Sequence, residues 1–74
     1  MPLVSINIME GRPPEKVEKM IVAVSEAIAD SLEAPIASVR IMVNEMHEHQ
    51  YGVGGKPWRV VREERARADR RDTR

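Results

Sequence analysis

The chain opens Met1-Pro2, and Pro2 is the first residue with chemistry within reach. Initiator methionine is usually removed when the second residue is small. The product here is an N-terminal proline with a free secondary amine. An α-amino group titrates near ~7.7–8.0, much closer to neutrality than lysine. An apolar wall and nearby cations lower it further, and a neutral amine at pH 7 is a usable general base. With Met1 retained, the same nitrogen is a tertiary amide with neither a proton nor useful basicity. Arg12 follows in a turn, and Arg40 lies further along the chain. Arginine grips carboxylates through two parallel hydrogen bonds and stabilises negative charge developing on oxygen. Taken singly, each also has a plainer reading: Pro2 as merely a small second residue, and Arg12 and Arg40 as solvated surface arginines.

Two other clusters are weaker. His47 and His49 lie two apart, so an extended segment turns both to one side, with Glu45 in reach. A metal site needs a third protein ligand and groups that orient it, so two solvated loop histidines are the better reading and no metal is assigned. The run Tyr51-Gly52-Val53-Gly54-Gly55 is glycine-rich but lacks the spacing of a dinucleotide or phosphate loop. No amphipathic helix is read after it. It reads as a packing loop that lays Tyr51 and Val53 on a partner.

The elements that must place these residues follow from periodicity. In residues 3–9, Val4, Ile6 and Ile8 alternate with Ser5 and Asn7, the period of a half-buried strand. Glu10-Gly11-Arg12-Pro13 is a turn, and Pro14 suits the first turn of a helix. Val17, Met20, Ile21, Val24, Ile28 and Leu32 recur at spacings of three and four. That is one apolar stripe on a helix of about 15–18 residues. Ala34-Pro35 ends it, since a residue before proline is pushed out of the α region. Val39 to Met46 is a second strand, with Val39, Ile41 and Val43 on one face and Arg40, Met42 and Asn44 on the other. The loop from His47 to Lys56 has room for a β-hairpin or a short edge strand. Pro57 interrupts, and Trp58 to Val61 is a short apolar patch.

Strand, helix, strand makes a β-α-β unit of α+β class. Its crossover is long enough for parallel strands and should be right-handed. Parallel neighbours bring Arg12 and Arg40 to one sheet end, or a subunit boundary joins them. Residues 1–61 form the predicted domain and 62–74 a charged tail. The tail is solvated, either disordered or a frayed helix with Arg59–Glu63 and Glu63–Arg67 pairs.

Composition narrows the classes. A lone core of 74 residues is marginal, and small domains lean on disulfides, metals or oligomerisation. Cysteine is absent, which removes disulfides and thiolate zinc sites, so oligomerisation is the expected way to complete the core. No apolar run reaches the ~20 residues of a membrane span, and no signal-peptide pattern opens the chain, so a cytoplasmic location is expected. Net charge is zero, but residues 1–55 carry four basic and eight acidic side chains, and 56–74 carry eight basic and four acidic. The basic end is interleaved with acids, and Tyr51 and Trp58 are the only aromatics besides the histidines. Base-stacking platforms need several rings, so nucleic acid is not an expected partner.

Read in order, these pieces resemble the 4-oxalocrotonate tautomerase family. The resemblance covers residues 2–56 and rests on Pro2, Met9-Glu10-Gly11-Arg12, Val24-Ser25-Glu26-Ala27-Ile28, Ala34-Pro35, Ser38-Val39-Arg40 and Gly52-Val53-Gly54-Gly55. It implies a β-α-β unit paired into dimers and commonly assembled as a homohexamer. It implies a cofactor-free keto–enol tautomerisation of an unsaturated 2-hydroxy dicarboxylate such as 2-hydroxymuconate, a step in aromatic degradation. Pro2 then matches the catalytic base, and Arg40 the arginine at the substrate carboxylate and 2-oxygen. Arg12 matches the arginine on the distal carboxylate. These arginines come partly from neighbouring subunits in the family. Tyr51 stands where the common pattern has phenylalanine and would line the substrate site, its hydroxyl adding a hydrogen-bonding group.

Two further readings stand beside this one. The same proline serves hydration, dehalogenation or decarboxylation of unsaturated acids in related members, and Tyr51 keeps that open. A catalytically silent oligomeric module with a basic tail is the other.

Overall fold

A computed structural model describes residues 1–72, with side chains described to residue 69. Strand β1 (Leu3–Met9) leads to helix α1 (Pro14–Leu32), and strand β2 (Arg40–Met46) follows a 3-10 turn at Ile36–Ser38. A second 3-10 turn at Glu48–Gln50 precedes the short strands β3 (Gly52–Val53) and β4 (Lys56–Pro57), and helix α2 (Trp58–Asp72) closes the described chain. β1 and β2 pair in parallel from Leu3↔Arg40 to Met9↔Met46. β3 and β4 pair antiparallel. The β-α-β unit and the short hairpin are those expected from the sequence.

Local chemistry accounts for each boundary. Pro13 caps α1 and Pro14 sits in its first turn, where a missing N–H removes no intrahelical bond. Glu33 ends the helix in the left-handed region, φ 52°, with Ala34 N–H donating to Ala29 C=O at 3.0 Å. The stripe residues Val17, Met20, Ile21, Val24 and Ile28 are half-buried. Leu32, at the end of the predicted stripe, is instead 63% exposed, because the helix has run past the strands that its stripe covers. Val39 caps the 3-10 turn and lies outside β2. Pro57 does not interrupt the hairpin but is the last residue of β4; an edge strand tolerates the missing donor. Gly54 and Gly55 join the two strands with φ 60° and 83°, the two positive values that a two-residue type I′ turn requires.

A helix starts at Trp58, three residues after the glycine run, where the sequence offered no amphipathic helix. Of the two tail alternatives, disorder does not hold for residues 62–72, which continue α2 across position 61. Arg59 meets Glu63 at 3.4 Å as expected. Residues 73–74 of the predicted tail lie outside the described residues.

Val61 is the sole buried hydrophobic residue among those described. On β1 and β2 the residues Val4, Ile6, Ile8, Ile41 and Val43 are half-buried. The opposite sheet face is open, with Leu3 66% and Met42 48% exposed. The molecule is elongated, 50 × 28 × 23 Å. Among the described residues, no helix is long and apolar enough to cross a membrane.

Candidate active site

Parallel pairing fixes the neighbours of Pro2. Leu3 stands opposite Arg40, and the Arg40 N–H donates to the Pro2 carbonyl at 2.9 Å. The first backbone bond of the sheet therefore ties the half-buried proline to the arginine. The Arg40 guanidinium is held as well. Its Nη1 donates to the Ala37 carbonyl at 2.6 Å and more weakly to Val39 at 3.4 Å. Ala37 lies in the 3-10 turn, itself braced by Ser38 Oγ donating to the Pro35 carbonyl at 2.7 Å. A guanidinium has five N–H groups in a rigid fork, so donors remain for an anion. Arg40 is exposed, as a group that meets a ligand must be. Met1 is 79% exposed, so its removal sacrifices little packing.

Arg12 is elsewhere. It follows β1, beyond Met9, while Arg40 opens β2 opposite Leu3. Six residues of strand separate those positions, roughly 20 Å at ~3.3 Å per residue. The expectation that parallel neighbours bring both arginines to one sheet end is therefore corrected. The two strands run in the same direction, so the turn after β1 and the start of β2 fall at opposite ends. Gly11 adopts φ 124°, open to glycine and strained for other residues, and the turn directs Arg12 so that Nη1 donates to the Met9 carbonyl at 3.2 Å.

The far end also carries the histidines. His47 Nδ1 lies 2.6 Å from Glu10 Oε2, and the His47 and His49 rings stack 5.4 Å apart at 7°. The residue that joins the histidines is thus Glu10, not Glu45. The reason is register: the Glu10 N–H donates to the Met46 carbonyl at 2.9 Å, which continues the ladder past β1 and brings Glu10 beside His47. Among the described residues, no group of three or more His, Asp or Glu is placed to hold a metal. A concavity of about 470 Å³ is lined by Glu10, Gly11, His47, Glu48 and His49. Its carboxylates repel an anionic substrate, and Pro2 and Arg40 do not line it.

Tyr51 is 40% exposed and Val53 39%. The Tyr51 ring packs within its own chain, edge-on to Trp58 with centroids 5.6 Å apart at 60°. Sequence reasoning missed the ring partner because it places Trp58 in a short apolar patch and Tyr51 in a loop, with no contact between them. The signal was the seven-residue interval, which allows both aromatics to meet once the hairpin folds back. The sequence reading also missed Glu10, whose role depends on register alone.

The parallel β-α-β unit with its short antiparallel hairpin sets the class of fold. The model of the family described as "Tautomerase enzyme" matches residues 2–60, and the chain belongs to this tautomerase family. It is a tautomerase-like isomerase. The chain is 45% identical over 62 residues to the 2-hydroxymuconate tautomerase of Pseudomonas sp. (strain CF600), covering 84% of this chain and 98% of that protein. Against a 2-hydroxymuconate tautomerase of Pseudomonas putida it is 48% identical over 56 residues, 76% of this chain and 89% of that one. Among solved structures, the heterohexameric 4-oxalocrotonate tautomerase of Chloroflexus aurantiacus J-10-fl superposes with a TM-score of 0.76 at 32% identity, covering 80% of this chain and 95% of that one.

Proposed function

We propose that this protein is a cytoplasmic, cofactor-independent keto–enol tautomerase of an unsaturated 2-hydroxy dicarboxylate such as 2-hydroxymuconate. The single observation that carries the site is the 2.9 Å bond from the Arg40 N–H to the Pro2 carbonyl. It puts the arginine beside the chain's only candidate N-terminal base. The relatives named for 2-hydroxymuconate support the substrate class.

With Met1 removed, the neutral Pro2 nitrogen takes the proton of the substrate 2-hydroxyl. The electron pair moves into the conjugated chain and forms a dienolate. Protonated Pro2 then returns that proton to a distal carbon, so the product is the isomeric ketone and no atom is gained or lost. Arg40 binds the adjacent carboxylate and 2-oxygen and stabilises the dienolate charge. Arg12 binds the distal carboxylate, and the Tyr51 ring lines the site and helps keep the amine neutral.

This assignment requires a second copy. One chain separates Arg12 from Pro2 by the length of the sheet, so Arg12 reaches a proline site from a neighbouring subunit. Exposure argues in the same direction. A chain whose described residues bury Val61 alone, with Leu3 and Met42 open on one sheet face, has too small a core to stand by itself. A homo-oligomer covers that face, and the heterohexameric relative supports a hexamer.

The test follows the ultraviolet decay of 2-hydroxymuconate with protein whose intact mass lacks Met1. Ketonisation is expected, and Pro2→Ala is expected to lower kcat by about 10²–10⁴-fold, the usual contribution of a positioned acid–base group. Undiminished turnover in Pro2→Ala, or none in the Met-less wild type, would overturn the reading.

A further inference from the structure

Tyr51, Trp58 and Arg65 form a tier that ties the hairpin to the third turn of α2. The Trp58 N–H donates to the Tyr51 carbonyl at 2.7 Å, and the two rings meet edge to face at 5.6 Å. The Arg65 guanidinium lies over the other part of the tier, 5.3 Å from the Trp58 ring centroid. Trp58 and Arg65 are seven residues apart, two helical turns, and so share one face of α2. The neighbouring cations are engaged elsewhere: Arg59 with Glu63 and Arg62 with Glu48. Residue 65 lies beyond the family match, which ends at residue 60.

Tyr51 needs such support. It precedes a hairpin whose strands are two residues each, and isolated two-stranded hairpins are marginal in water. With Tyr51 40% exposed, the position of its ring depends on what packs against it. Trp58 supplies the edge contact, and Arg65 holds the indole by its cation.

We infer that Arg65 is a positioning residue that acts through Trp58 to hold the Tyr51 ring in its substrate-lining orientation. The inference rests on the reading above, in which Tyr51 lines the substrate site. Releasing the ring lowers the fraction of binding-competent sites and raises the apparent dissociation constant in inverse proportion, without touching proton transfer. A cation–π contact at an exposed position corresponds to a change of about two- to fivefold.

The experiment uses full-length, Met-less protein and 2-hydroxymuconate, comparing wild type, Arg65→Ala and Arg65→Lys. Arg65→Ala is expected to raise KM about two- to fivefold, leave kcat within about twofold, and change the emission of Trp58, the only tryptophan. Arg65→Lys keeps the cation over the ring and is expected to restore most of the KM. In a Tyr51→Ala background, Arg65→Ala is expected to change KM no further, as coupling through one chain of contacts demands. A shifted Trp58 emission with unchanged KM would overturn the inference and leave the tautomerase reading intact. So would loss of kcat together with a smaller oligomer by gel filtration, or an undiminished Arg65→Ala effect in the Tyr51→Ala background. Wild-type protein without turnover overturns both.

Discussion

Residues 3–46 and residues 47–72 hold their shape by different means. The first region is regular: seven parallel register pairs and a 19-residue helix, with none of its described residues buried. The second is irregular: two-residue strands, a 3-10 turn and a charged helix. Yet it contains Val61, the one buried residue among those described. It is stitched by side chains, with Lys56 Nζ to Glu64 at 2.9 Å, Arg62 to Glu48, and Trp58 in contact with both Tyr51 and Arg65. The difference separates two tasks. A backbone ladder places Pro2 against Arg40 without a core, because register alone sets which residues are neighbours. A hairpin with a ladder of two pairs needs more, which a buried valine and an edge-to-face ring pair provide. On the proposed reading, chemistry belongs to the first region, and the support of a substrate-lining ring to the second.

The sharpest way to break this division is Arg40→Ala. It is expected to lower kcat by about 10²–10³-fold, the cost of losing a preorganised donor to a developing oxyanion. Oligomer size in gel filtration should not change. Dissociation into smaller species would move Arg40 from chemistry to assembly.

Arg12→Ala sharpens the same point, since Arg12 belongs to the regular region but to its other end. An increase in KM of about tenfold is expected for a dicarboxylate, as for loss of one charge-assisted hydrogen-bonding pair. A substrate without the distal carboxylate should show almost none of it. An equal effect on both substrates would argue against Arg12 as the distal-carboxylate group.

Val61→Ala tests the second region. Removing two methyl groups from its buried site is expected to cost about 2 kcal/mol, read as faster hydrogen exchange in 52–65 than in β1 and β2. Uniform loss of protection across the chain would show that the two regions unfold as one. The smallest expected effect is Glu33→Gly. The left-handed φ of 52° at the end of α1 suits glycine. The substitution should stabilise by about 0.5–1 kcal/mol, seen as a higher Tm at fixed protein concentration. A lower Tm would mean that the Glu33 side chain contributes more than its backbone strain costs.

Much of the fold was legible in the residues themselves. The alternation of Val4, Ile6 and Ile8, the stripe from Val17 to Ile28, and the stops at Pro13-Pro14 and Ala34-Pro35 are local patterns. Each is decided by side-chain period or by proline's own sterics. Gly54-Gly55 likewise announces its turn. The charged run after Val61 left helix and disorder both open. Its propensity is carried by arginine, alanine and glutamate, which suit a helix and an unfolded chain alike, and Val61 packing selects between them.

Pro2, Arg12, Arg40 and Tyr51 could be picked out as residue types with the right chemistry, because an α-amine, two guanidiniums and an aromatic ring keep that chemistry wherever they are placed. Only the tertiary structure decided their company. It set Arg40 against Pro2, sent Arg12 to the opposite sheet end, gave His47 to Glu10 instead of Glu45, closed Tyr51 onto Trp58, and laid Arg65 over the indole. Each of these depends on strand direction, register or a fold-back between residues distant in sequence. A period along the chain carries no information about such pairings, since it fixes which face a residue is on and not which residue it faces.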